Sequence, residues 1–122
     1  MDALPMMKAA AVLLGIAAIG GLVMAIMRFR GAERPPTMIL MAHGLLAAAA
    51  LTLLVYAAAT VGLPALALAA TVIFSVVAIV GSWLNLNFHS KMLALPKTPI
   101  VIHGLAAVVG YVLLLLSVMA GP

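Results

Sequence analysis

Residues 38–59 read MILMAHGLLAAAALTLLVYAAA, an uncharged apolar run with one histidine, His43, near its start. About 20 consecutive apolar residues are enough to cross the hydrocarbon of a bilayer as a helix, so this stretch is a membrane span. Imidazole is costly at membrane depth unless something partners it, which makes His43 a candidate functional residue. The chain then repeats itself. His43-Gly44-Leu45-Leu46-Ala47 returns sixty positions later as His103-Gly104-Leu105-Ala106-Ala107, and each phrase follows a proline, Pro36 or Pro96, by seven residues.

Composition extends the membrane assignment to the whole chain. Of its 122 residues 68% are hydrophobic and 7% charged, with a mean hydropathy of +1.40, too little polar surface to coat a water-soluble globule. Spans of about 20 residues joined by short loops give four transmembrane helices and a single domain over 1–122, with no room for an extramembrane domain. Their expected limits are Lys8–Met27, Met38–Ala59, Ala65–Leu86 and Pro99–Met119. The first of these resembles a signal peptide in its leading Lys8, but it is long for one and ends at Arg28 and Arg30 rather than at small residues, so a retained helix is expected. Gly15, Gly20 and Gly21 within it suit close approach by a neighbouring backbone.

The charges are unevenly placed. Arg28, Arg30, Arg34, Lys91 and Lys97 fall in the loops after the first and third spans, and Lys8 alone falls at the other end. The positive-inside rule makes the two charged loops cytoplasmic and puts both termini outside, in the periplasm if the membrane is a bacterial inner membrane. The net charge of +4 therefore reports topology, and neither a basic face nor an aromatic stacking platform points to nucleic acid. Cysteine is absent, which removes disulfides and thiolate chemistry. Asp2 and Glu33 are the only carboxylates, so paired acid–base catalysis has no place to sit. Ser75, Ser82 and Ser117 lack a suitable base. The nine methionines raise the possibility of Cu(I), but no regular Met series faces the histidines and they read as apolar filler.

A gapless offset of sixty matches 13 of 62 positions, a weak score in a chain so rich in alanine and leucine. The paired His-Gly-Leu phrases, prolines and charged loops carry more weight. They predict two tandem hairpins, about 1–60 and 61–122, related by a pseudo-twofold axis along the membrane normal. That symmetry would let His43 and His103 approach one another from opposite sides. Positions three, four and seven beyond each histidine share its face, and they are Leu46, Ala47 and Ala50 in one half and Ala106, Ala107 and Gly110 in the other. With Gly44 and Gly104 they are expected to open a trough beside the imidazoles. A flat macrocycle suits such a trough, its metal held by a neutral imidazole from each side. Seven residues from the proline is about 10 Å along a helix, which puts the metal in the inner leaflet and its carboxylate edge within reach of Arg28, Arg30, Arg34, Lys91 or Lys97.

In these features the chain resembles the cytochrome b class of four-helix membrane haem proteins, on the strength of His43-Gly44 and His103-Gly104. The resemblance implies haem b with His43 and His103 as axial ligands, and electron transfer between quinone and a partner. With three histidines in place of the four that two haems need, it implies one haem at most; a chlorin is the subordinate pigment. His89 has no counterpart in the repeat, aligning with Phe29. It is expected as a substitute ligand, a propionate partner, a proton relay near Asn85 and Asn87, or an interfacial residue in water. The competing expectation is a cofactor-free accessory subunit, with the histidines as hydrogen-bonding glue and the alanine- and glycine-rich faces docking other membrane subunits or a second copy. A channel would require a polar path, and the outer halves of the spans offer only Tyr56, Ser75, Ser117 and a few threonines.

Overall fold

The computed structural model describes residues 2–122 and is all helical. Its helices are α1 (Leu4–Phe29), α2 (Thr37–Thr60), α3 (Ala65–Leu84, continued by a π-helical turn over Asn85–His89) and α4 (Lys97–Ala120). All four are long and apolar enough to cross a membrane. Proline sets each start: Pro5 lies in the first turn of α1, and Pro36, Pro64 and Pro96 are the N-caps of the other three. Proline suits these positions because its missing N–H would have no intrahelical partner there. Gly31 and Gly62, at φ +112° and +84°, then turn the chain after α1 and α2 in a left-handed conformation open to glycine.

The helices outrun the expected spans at their charged ends. Lys97 and Pro99 belong to the first turn of α4 rather than to a loop, since a first-turn proline gives up no hydrogen bond. The third helix carries on past Leu86 by the π turn, so His89 is its last residue.

α1 packs chiefly on α2 and α3 on α4, and α1–α4 and α2–α3 contacts close the bundle. The element limits recur at an offset of sixty, with Thr37–Thr60 matching Lys97–Ala120. Burial recurs too: Ala10 and Ala70, Leu54 and Leu114, and Ala50 and Gly110 are buried in pairs. The continuous apolar core joins Met7, Ala10, Leu14, Ala50, Leu54, Ala67, Phe74 and Leu114, all in the half of the bundle away from the charged loops. Outside, Ile19, Leu45, Ile79 and Leu105 are each more than three-fifths exposed, as side chains facing lipid are.

At the charged end the two loops are tied to each other. Arg28 Nε donates to the Leu95 carbonyl at 2.7 Å, the Leu95 amide to the Glu33 carbonyl at 3.0 Å and Arg34 to Met92 Sδ at 2.9 Å. His89 Nε2 lies 3.0 Å from the Pro35 carbonyl.

One pair of core contacts exchanges volume between the halves. The first half places Leu14 and Ala50 where the second places Phe74 and Gly110, and a Cβ built on Gly110 would lie 3.1 Å from the Phe74 ring. Gly110→Ala is therefore expected to destabilise the bundle by about 1–3 kcal/mol through overpacking. Adding Phe74→Leu removes the ring contact but leaves Ile73 Cγ2 at 3.2 Å, and is expected to recover part of that loss, as read by chemical unfolding in detergent.

Candidate functional site: two imidazoles seated on glycines

His43 lies in the second turn of α2 and His103 in the second turn of α4. Both are half-buried. Their ring centroids are 6.3 Å apart, with the ring planes at 61°, so the two residues that the sequence singles out do come together.

Each ring rests on a glycine of the preceding helix. A Cβ built on Gly21 would stand 2.9 Å from Cε1 of His43, and one on Gly81 3.0 Å from Cε1 of His103. No real Cβ tolerates such distances without movement, so both imidazoles occupy room that only glycine leaves. Ala17, one turn before Gly21 on the same face of α1, offers its carbonyl to His43 Nδ1 at 2.7 Å. A carbonyl only accepts, so Nδ1 is the protonated, donating nitrogen of this contact. In the second half the Val77 carbonyl faces the His103 ring. His103 Nδ1 is buried there without a hydrogen bond of ordinary distance and angle.

A backbone carbonyl bound to one ring nitrogen, as behind His43, is also how metal-ligating histidines have their orientation set, leaving the other nitrogen to face a ligand. Among the described residues no three His, Asp or Glu side chains converge. A bare metal ion asks for about four donors, so a pair of imidazoles suits a metal whose other positions are already filled by a planar ligand.

The remaining expected residues divide. Ala47 and Ala107, one turn beyond the histidines, are half-buried on the same face. Gly44 and Gly104 do not open the trough: both are exposed, and a Cβ on either would meet nothing within 4 Å. Adjacent helix positions are turned about 100° apart, so the residue after a histidine faces elsewhere. The glycines that make room are Gly21 and Gly81, whose match at an offset of sixty was the available signal. Arg28 and Arg34 are engaged in the loop contacts described above, and Arg30 is exposed. His89, at the end of the third helix, is largely enclosed at 9% exposure, and its bond to Pro35 ties the π turn to the first loop. By the same carbonyl argument its proton sits on Nε2.

No protein-family model, curated protein or solved structure matches this chain.

Gly21→Ala is expected to push the His43 ring off the Ala17 carbonyl and lower stability by about 1–3 kcal/mol. Gly20→Ala, whose Cβ would meet His43 Cβ at an ordinary 3.7 Å, is expected to cost little. Unfolding of the two variants side by side reads the difference.

Proposed function

We propose that this chain is a small b-type cytochrome-like membrane protein. In this reading His43 and His103 are the axial ligands of one haem, and the protein passes electrons between quinone and a partner. The observation that carries the reading is the pair of imidazoles 6.3 Å apart, one from α2 and one from α4. Two metal–imidazole bonds of about 2 Å each, together with the two half-rings, span a similar distance. The hydrogen bond from His43 Nδ1 to Ala17 supports it further, because it leaves Nε2 as the donor atom.

Haem, when bound, supplies a one-electron redox centre. The chain's own residues do the rest. Gly21 and Gly81 admit the rings, the Ala17 carbonyl holds one imidazole in its tautomer, and Ala47 and Ala107 keep the adjoining face low. Arg30, exposed at the charged end, is suited to the propionates.

The proposal includes two tandem hairpins related by a pseudo-twofold axis along the membrane normal. Its support is the recurrence of helix limits, burial and glycine–histidine contacts at an offset of sixty. It also includes the orientation in which the charged loops are cytoplasmic and both termini lie outside, an inference from the placement of the cations.

A second reading, an accessory subunit without a cofactor, draws on the exposed Gly44 and Gly104. Their open surroundings would let a helix of another subunit approach closely.

The visible spectrum of the purified protein separates the two. A haem band that shifts on reduction and disappears in the His43→Ala, His103→Ala double variant is the expected outcome. Colourless protein that copurifies with larger subunits, unaffected by those substitutions, would sink the cytochrome reading. Pigment extraction distinguishes haem from a chlorin.

A further inference from the structure

A wide, open depression of about 470 Å³ lies at the charged end, between the end of α1, the first loop and the π turn of α3. Its polar walls are Arg34, Thr37, His89 and Glu33, and Met27, Pro35 and Pro36 complete it. It is separate from the imidazole pair and has no part in the function proposed above.

Arg34 is the informative wall. Its Nε is sealed from solvent with no acceptor, and its NH1 donates to a thioether, Met92 Sδ. Thioether sulfur is a weak acceptor, and the sealed Nε–H has no oxygen to replace the water it has lost. The guanidinium is thus held in place with its inner edge sealed and its outer edge half-exposed, and it lacks the oxyanion that its fork geometry fits. Thr37 shares the lining as the first residue of α2, a helix start with no side-chain cap. His89 is fixed by the Pro35 carbonyl.

The surroundings narrow the ligand. This end holds five of the six cations, Arg28, Arg30, Arg34, Lys91 and Lys97; resting on the cytoplasmic placement of these loops proposed above, it is the kind of basic pocket where anionic headgroups collect. Glu33 in the wall works against a dianion. A phosphate monoester takes its second negative charge near pH 6, whereas a diester stays singly charged. We propose that this depression binds the phosphodiester headgroup of an anionic phospholipid, with Arg34 as the residue that grips it.

The test compares melting temperatures of the full chain in nanodiscs of phosphatidylcholine with and without phosphatidylglycerol. Phosphatidylglycerol is expected to raise the wild-type value by about 4–8 °C. The rise should be lost in Arg34→Gln and kept in Lys91→Gln, an exposed cation at the same end. A full rise in Arg34→Gln overturns the proposal. So does equal loss in Lys91→Gln, which would mean unspecific attraction. An equal rise on adding millimolar inorganic phosphate to phosphatidylcholine discs overturns it as well, since the site would then take a free anion. If Arg34→Gln does not fold, Arg34→Lys replaces it with the same two outcomes.

Discussion

An imidazole placed among apolar helices must find its partners inside the protein, because lipid offers neither donor nor acceptor. Much of the charged half of this bundle is arranged around that requirement. Gly21 and Gly81 omit side chains so that the rings of His43 and His103 can lie against α1 and α3. The Ala17 carbonyl, already engaged within α1, accepts a second bond from His43 Nδ1. A membrane helix has few polar groups to lend, and its backbone carbonyls, with two lone pairs each, are the most available.

The two halves meet this demand unequally. His43 is hydrogen-bonded and His103 Nδ1 is not, although both rings sit on glycine. The inequality extends into the core, where Leu14 and Ala50 are answered by Phe74 and Gly110. It extends to the helix ends as well, where α1 finishes at Phe29 and α3 winds into a π turn ending in His89. π turns often mark functional positions. Here the turn carries a buried histidine to the loop of the other hairpin and lines the depression beside Arg34.

How much of this was legible in the sequence depended on how local the governing physics is. Span number and position follow from hydropathy and proline placement, properties of each segment alone, and the four helices agree with them to within a few residues. The side shared by His43 and Ala47 follows from helical phase. The glycine beside each imidazole lies on another helix, so its identity depends on interhelical register, which phase within one helix does not give; that is why Gly44 and Gly104 looked right and face outward. The enclosure of His89 was not legible for a related reason. Asn85, Asn87, Ser90 and Lys91 around it suggest a wet surface, and only the fold of the first loop over the π turn encloses the ring.

The close-packed layer of Met7, Leu14, Leu54, Phe74 and Leu114 lies wholly on the side opposite the charged loops. Regions with few buried apolar contacts open at lower free energy than those with many. Ala17, Val77, Leu84 and Leu95 are the buried apolar residues of the other half, fewer and more scattered, so the bundle is expected to loosen first where the loop hydrogen bonds supplement that packing.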